Sequence, residues 1–516
     1  MTNAVTACLD DHVAAGQGDR PALATPTQSV TYAELFSLAC RAGNALRALG
    51  VEPEQRVALL LPDSPPFAAM FLGAMRIGAV PVPLNTRLRA ADYEAILADS
   101  RAKVLVADGA LAEPLRERLS ALRHLRAVVV QGAASGAPAV EELLAAASPE
   151  LAAEPVSTDD MAYWLYTSGT TGLPKAVVHL HRAPLLCQRF GRDVIGMRPE
   201  DRVLATSRLF FSYALGNAFL VPLQLGACVY LNPQWPEPAS VAGAIKSFGP
   251  TLLYSVPTFY ARLLRADLPQ DTFRSLRCAI SAGERLPPEI YEAFKNKFGV
   301  EILDAIGTTE SMDMVLANRP GKVRPGSSGT PIPGTEVRLL DAAGREVADG
   351  EEGELHIKSP AIAAGYWNRV ERTRQAFLGE WFRTGDVYAR DAEGYYFHRG
   401  RADDFFKVAG QWVAPAEVEA VLNSHPVVAD AGVIGVEADG GLIKPFAFVV
   451  AKNPGGDMGA LVGELTALVG EKLSSHQRPR RIVVIDELPR TATGKLQRYI
   501  LRQKAAATLA PGETAR

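Results

Sequence analysis

The sequence predicts an α/β protein with a large N-terminal domain and a small α+β C-terminal domain. Three features carry that expectation. Strand-like and helix-like patterns alternate from Arg20 onward, the arrangement that parallel strands joined by crossover helices require. From about Gly326 the texture changes to short strands between Gly- and Pro-containing turns, and a further composition shift follows Arg401. A chain of 516 residues is also too long for one compact core. The expected domains are residues 1–400 and 401–516.

Taken in order, Tyr32–Leu49 has the apolar spacing of an amphipathic helix and is closed by Gly50. Arg56–Leu61 is a short apolar strand, Pro65–Ile77 a second helix, and Gly78 leads into the strand Ala79–Pro83. Lys103–Ala107, Ala127–Val130, Thr251–Val256, Cys278–Ser281 and Ile302–Ala305 repeat the buried-strand pattern, with helices such as Glu237–Phe248 and Pro288–Phe298 between them. Val337–Asp341, Glu354–Ile357 and Gly394–His398 form the antiparallel stretch. The final domain reads as helix Glu417–Ser424, strands Ala429–Val436 and Pro445–Val450, helix Ala460–Leu473 and strand Arg481–Val484. Gln131–Pro138 reads as a loop, the tail after Ala505 as frayed, and no internal repeat is found.

Bulk properties exclude several classes. A formal charge of −3 with both signs scattered gives no electrostatic case for nucleic acid or an anionic membrane. Cys8, Cys40, Cys187, Cys228 and Cys278 are widely spaced and form no CxxC pair, so small buried thiols in a reducing, cytoplasmic setting are expected rather than disulfides or zinc. Met1–Asp10 lacks the basic start and apolar run of a signal peptide, and no stretch of about 18 apolar residues exists for a membrane span.

The strongest local signal is Tyr166-Thr167-Ser168-Gly169-Thr170-Thr171-Gly172-Leu173-Pro174-Lys175, which follows the apolar stretch Met161–Leu165. Small residues let backbone N–H groups turn inward around phosphate oxygens, and hydroxyls and a lysine add donors. It is not the GxxxxGK[ST] loop of common nucleotide hydrolases. A flexible surface loop is the plain alternative, which composition alone favours; the complete string favours phosphate binding.

The string resembles the phosphate-binding signature of acyl-adenylate-forming enzymes, which include acyl- and aryl-CoA ligases, peptide-synthetase adenylation domains and firefly luciferase. Four further motifs stand in that family's order: Gly307-Thr308-Thr309-Glu310, Trp381-Phe382-Arg383-Thr384-Gly385-Asp386, Gly400-Arg401-Ala402-Asp403-Asp404 and Pro489-Arg490-Thr491-Ala492-Thr493-Gly494-Lys495. The likeness spans Thr31 to Arg498. It implies an N-terminal domain of doubly wound βαβ subdomains plus a distorted β-barrel, and a mobile C-terminal domain carrying a catalytic lysine, Lys495. ATP, Mg2+ and coenzyme A follow as cofactor and co-substrates.

The resemblance also assigns roles. Glu310 is a hard oxygen ligand for Mg2+ shared with the ATP phosphates, and Thr309 beside it reaches the α-phosphate. Asp386 accepts the ribose hydroxyls and Arg401 reaches the ribose or a phosphate. Lys495 offsets charge growing on the carboxylate and α-phosphate. Ser281, Ala282, Gly283 and Glu284 line the adenine face, with Asp304 and Ile306 preceding the glutamate motif. Ile306 stands where many relatives carry a stacking aromatic, and Ala176 replaces a usual glycine. Asp403 is the hinge, and Lys407 and Gly410 border the thiol tunnel. In isolation each has a plainer reading: a solvated glutamate or lysine, a turn aspartate, a surface ion pair.

Within the family the likeness is to benzoate-CoA ligases and their hydroxybenzoate relatives. It is carried by Phe210–Asn217, Ser281–Glu284, Asp304–Gly321 and Tyr366-Trp367-Asn368. The acid implied is a flat aromatic one, in a slot formed by Ser212, Tyr213, Gly307, Met312 and Met314. Phe210 reads as an ordinary core aromatic. Asp313 departs from the pattern, which usually carries histidine there. An unpaired buried charge is costly, so Asp313 is expected to face a ring hydroxyl or amino group or to be paired with a cation; the alternative is that it points to solvent. Rival functions are loading of an aryl acid onto a carrier-protein phosphopantetheine, a non-catalytic nucleotide-binding homologue, and, more remotely, a luciferase-like oxygenase or a long-chain fatty-acid ligase. Relatives are often homodimers, which is resemblance alone.

Overall fold

The computed structural model describes residues 2–132, 137–167, 174–408, 411–438, 442–453, 455–490 and 496–508. The chain forms two compact units, Met1–Val337 with Ile357–Arg383, and Arg338–His356 with Thr384–Arg516.

In the first unit the alternating pattern builds two largely parallel sheets. The smaller orders Val80–Pro83, Arg56–Leu60, Val104–Asp108 and Ala127–Gln131, every neighbour parallel. The larger has nine strands. Its central members run parallel in the order Ile302–Gly307, Cys278–Ser281, Leu252–Ser255, Arg202–Ala205, Cys228–Tyr230 and Pro21–Ala24. Antiparallel strands close both edges: Ser29–Thr31 at one, Met314–Ala317 and Thr330–Pro331 at the other. Leu252–Ser255 and Cys278–Ser281 are buried along their whole length, which is why they read as unbroken apolar runs. The chain adds Cys228–Tyr230 on one side of Arg202–Ala205 and Leu252–Ser255 on the other. Such a reversal is a topological switch point, where loops leaving neighbouring strand ends part and open a crevice.

Helix Tyr32–Ala48 begins with a capping box: Thr31 Oγ1 accepts from the Glu34 N–H at 3.2 Å, and the Glu34 carboxylate accepts from the Thr31 N–H at 2.7 Å. It packs on Pro65–Arg76, whose first turn holds two prolines that need no N–H partner. A Cβ on Gly73 would lie 2.6 Å from Ala42 Cβ and 2.8 Å from the Gly43 nitrogen, so the two helices approach this closely because glycines meet at the crossing. Arg76 closes the second helix in the core, paired in bidentate fashion with Asp10 at 2.8 and 2.9 Å.

In the second unit, Thr384–Arg390 pairs antiparallel with Tyr396–Arg401, and Phe406–Val408 forms a hairpin with Gln411–Val413. A three-stranded sheet follows, Val428–Ala438, Leu442–Ala451 and Arg481–Val484. Alternation along these strands sorts its faces. Val433, Ala447 and Val449 pack under helices Pro415–Asn423 and Met458–Lys472, while Ile434, Phe446 and Phe448 pack under Leu501 of helix Arg498–Thr508. The first two strands extend beyond the apolar runs that predict them, because the ladder continues through polar pairs such as Glu437↔Ile443 and Val436↔Lys444. All five cysteines are free and buried, as expected. Among the described residues no helix is long and apolar enough to cross a membrane.

Candidate active site

Four neighbouring parallel strands of the large sheet end at one edge. The chain leaving Arg202–Ala205 runs to Ser212 and Tyr213, which open the short helix Ser212–Leu215. Leu252–Ser255 ends beside it, and Cys278–Ser281 ends on Ser281 and runs on through Ala282, Gly283 and Glu284. Ile302–Gly307 ends on Gly307 and delivers Thr308 to Asp313. The Tyr213 hydroxyl is committed to this edge, donating to the carbonyl oxygens of Ile280 at 3.0 Å and Ser255 at 3.1 Å. The scaffold therefore uses the hydroxyl, and the ring stands edge-on to Tyr254, 6.0 Å between centres. Phe210 is buried against Phe211 at 4.3 Å between ring centres, in accord with a core role.

The reversal from Gly307 to Met314 is fixed by its own hydrogen bonds. Ser311 Oγ accepts from the Thr308 N–H at 3.0 Å, Thr308 Oγ1 accepts from the Ser311 N–H at 3.1 Å, and Ser311 Oγ donates to the Asp313 carbonyl at 2.9 Å. A Cβ on Gly307 would sit 2.6 Å from the Asp313 carbonyl oxygen, so glycine is required there. Met312 takes the left-handed conformation at φ 58°, which re-aims the chain between Glu310 and Asp313. Met312 and Met314 are both buried. Behind Thr309 lies His179, whose imidazole burial pushes down to about 3, a neutral ring.

Glu310, also buried, meets two donors. The Tyr366 hydroxyl donates to its Oε1 at 2.7 Å, and the Lys175 ammonium lies 3.5 Å from the same oxygen. Lys175 also stands over the Tyr366 ring, 3.7 Å from its centre. Lys175 heads strand Lys175–Leu180, directly across from Thr167 on Met161–Thr167. Ser168, Gly169, Thr170, Thr171 and Gly172, the rest of the expected phosphate loop, lie outside the described residues. Ala176 is fully buried at the start of this strand and its carbonyl accepts from the Trp367 N–H at 3.0 Å, so the strand forms normally without the usual glycine.

Asp313 is 5 % exposed, which overturns the alternative that it points to solvent. Its Oδ1 accepts from the Met314 N–H at 2.8 Å. Burial pushes its carboxyl well above the usual carboxylate range, opposed in part by that N–H and by the cation of Arg189. Asp304 behaves alike: burial drives its carboxyl up, against N–H groups of Leu286 and Ala305 and the charge of Arg285. It lies opposite Ser281 in the parallel ladder. Ser281 Oγ and Asp304 Oδ1 are buried with no hydrogen-bond partner among the described residues. Ile306 beside them is half-buried and apolar.

The second unit brings together Asp386 and Arg401, which face each other across the ladder with Nη1 and Oδ2 3.1 Å apart. Arg401 also donates to the Thr384 carbonyl at 2.8 Å, and His398 Nε2 lies 3.3 Å from Asp386 Oδ1. Asp403 sits in the short 3-10 turn Ala402–Asp404, and Lys407 is exposed on the hairpin strand Phe406–Val408. Gly410 and Lys495 lie outside the described residues. The chain flanking Lys495 is anchored: Arg490 bridges to Leu496, the Gln497 N–H donates to the Pro489 carbonyl at 2.8 Å, and Arg490 pairs with Asp430 at 2.6 Å. Sequence reasoning gave no role to Tyr366 or His398. Tyr366 belongs to the Tyr366-Trp367-Asn368 likeness, and its contact with Glu310 appears only in the fold. Among the described residues no group of three or more His, Cys, Asp or Glu side chains forms a metal site.

Residues 10–367 match the model of the AMP-binding enzyme family, and residues 417–495 match that of the AMP-binding enzyme C-terminal domain. The chain belongs to this family of adenylate-forming enzymes. It is an AMP-forming acid–thiol ligase, with ATP, Mg2+ and coenzyme A as its cofactor and co-substrates. A 4-hydroxybenzoate–CoA/benzoate–CoA ligase of Rhodopseudomonas palustris is 43% identical, over 99% of this chain and 96% of that protein. A benzoate–CoA ligase of Thauera aromatica is 41% identical over 97% and 95%. Among solved structures, an anthranilate CoA ligase in complex with anthranoyl-AMP superposes with a TM-score of 0.91 at 38% identity, covering 98% of both chains. A benzoate CoA ligase from Burkholderia xenovorans gives 0.89 at 40% identity, covering 97% of this chain and 100% of that one.

Proposed function

We propose that the protein activates benzoate, or a hydroxy- or amino-substituted benzoate, with ATP and transfers the aroyl group to coenzyme A. One observation carries this reading: a single turn sets Glu310 beside Lys175 and, three residues on, seats a carboxyl at Asp313 among the buried side chains of the proposed acid slot. Relatives similar along nearly the whole chain act on benzoate and its hydroxyl derivatives by name, and a solved neighbour holds anthranoyl-AMP.

In the first half-reaction a carboxylate oxygen of the acid attacks the α-phosphorus of ATP and pyrophosphate leaves. Lys175, Thr309 and the Thr167–Gly172 loop would hold phosphate oxygens, Glu310 would hold the magnesium ion that ATP brings, which offsets phosphate charge, and Ser281 and Asp304 would lie on the adenine side. Asp386 and Arg401 hold the ribose. The Tyr213 ring, Met312 and Met314 enclose the aryl ring. Positioning and charge neutralisation account for the catalysis, with no protein nucleophile. In the second half-reaction the thiol sulfur attacks the acyl carbonyl and AMP departs. On the family's pattern the C-terminal domain, from about Arg401, turns at Asp403 between the halves and exchanges Lys495 for the face bearing Lys407 and Gly410. Replacing Lys495 by alanine is then expected to cripple adenylation yet spare thioester formation from supplied aroyl-adenylate; equal loss of both steps contradicts the division of labour.

Free, buried cysteines accord with a cytoplasmic enzyme. Product mass spectrometry with coenzyme A and with a phosphopantetheinyl carrier protein tests the thiol. Aroyl-CoA as the main product is expected, and acylated carrier protein alone overturns the assignment.

A further inference from the structure

Tyr366 belongs to a strand of two residues, Gly365–Tyr366, that is held on every side. The Ala364 N–H donates to the Val178 carbonyl at 2.9 Å and the Trp367 N–H to the Ala176 carbonyl at 3.0 Å, so the segment is zipped onto the strand that Lys175 begins. The Tyr366 N–H donates to Thr373 Oγ1 at 3.0 Å. The preceding Ala363 N–H donates to the backbone carbonyl of Glu310 at 2.8 Å. One short segment thus grips Glu310 by its main chain and, through the Tyr366 hydroxyl at 2.7 Å, by its side chain. The same ring lies beneath the Lys175 ammonium at 3.7 Å.

Glu310 sits on a turn within reach of Lys175. Without a second donor, either carboxylate oxygen can turn to the cation. A neutral hydroxyl on Oε1 prevents this without adding charge. The ring face gives the ammonium a second resting place from which it can leave for a phosphate.

Resting on the adenylation reading above, we propose that Tyr366 is a positioning residue: its hydroxyl fixes Oε1 of Glu310 and leaves Oε2 for the magnesium ion carried by ATP. Partners that orient a metal-binding carboxylate are commonly worth a tenfold or greater change in metal affinity.

Calorimetric titration of the wild type and Tyr366→Phe with ATP, once with magnesium and once with EDTA, tests this. The phenylalanine variant keeps the ring, its packing on Phe377 and the cation contact, and loses only the hydroxyl. MgATP binding is expected to weaken by about tenfold, with metal-free ATP binding unchanged. Equal weakening of both, or of neither, overturns the proposal. The same titration on Glu310→Gln and on the double variant closes a cycle that holds even if one variant is less stable. Tyr366→Phe is expected to add nothing once Glu310 is gone, and additive losses overturn the proposal. A wild type that binds no MgATP at all refutes the adenylation reading itself.

Discussion

Glu310 and Asp313 share one turn and are both buried, yet their surroundings are opposite. Glu310 has a lysine cation at 3.5 Å and a tyrosine hydroxyl at 2.7 Å on one oxygen. Asp313 has its neighbour's N–H, and burial raises its carboxyl well above the ordinary range. The first is kept among donors. The second is driven toward the neutral acid, a group that both donates and accepts a hydrogen bond. A left-handed residue, Met312, lies between them and turns the chain, so the two side chains meet different surroundings. On the proposed reading, two carboxyl side chains are divided between phosphate chemistry and ring recognition by what each meets, not by their place in the chain.

The largest effect tests the phosphate side. Glu310→Gln keeps the shape and removes the charge, and acid-dependent ATP–pyrophosphate exchange is expected to fall by about a hundredfold or more. Asp313→Asn is expected to leave exchange with unsubstituted benzoate nearly intact. If the two variants lose activity equally, the contrast between them is wrong.

A smaller effect tests the ring side. Asp313→His restores the residue usual in benzoate-type relatives. Profiling kcat/KM across benzoate, hydroxybenzoates and aminobenzoates is expected to show a shift toward unsubstituted benzoate of roughly tenfold, about 1.4 kcal/mol. Identical preference for benzoate in both proteins breaks the assignment.

The smallest effect is on stability. Below about pH 4, the ordinary carboxylate value, folded and unfolded chains both hold the Asp313 proton. As pH rises above it the unfolded chain releases that proton while the folded chain, with its raised value, keeps it. Stability therefore falls with rising pH until the raised value is passed. Asp313→Asn has no such proton, so its melting temperature is expected to gain on the wild type from pH 4 toward neutrality, by a few degrees at most. A difference that stays flat with pH contradicts a raised Asp313.

Much of this was legible in the chain. Strands such as Cys278–Ser281 are buried on both faces, so their apolar runs announce them. The glycine in Gly307-Thr308-Thr309-Glu310 is dictated by the 2.6 Å approach of the Asp313 carbonyl, so the motif records a steric requirement. Asp313 stood out because it replaces the histidine usual in the benzoate-type pattern, and the cost of burying an unpaired charge then pointed to a partner or a polar ring group. Tyr366 was less legible, because its partners Lys175 and Glu310 are remote in sequence and only the pairing of Gly365–Tyr366 with Lys175–Leu180 brings them together. His398 was hidden for the same reason: it meets Asp386 through a ladder register that shifts between Val387 and Tyr388. The commitment of the Tyr213 hydroxyl to two strand-end carbonyls was equally invisible to spacing or composition.

The central claim is that one crevice, at the ends of four parallel strands, holds ATP beside an aromatic acid. Incubating the purified enzyme with labelled pyrophosphate, MgATP and a panel of benzoates tests it most directly. Label is predicted to enter ATP only when a benzoate-type acid is present, and coenzyme A is predicted to divert the adenylate to aroyl-CoA. Label that enters ATP with no acid, or with aliphatic acids but no aromatic one, would contradict it.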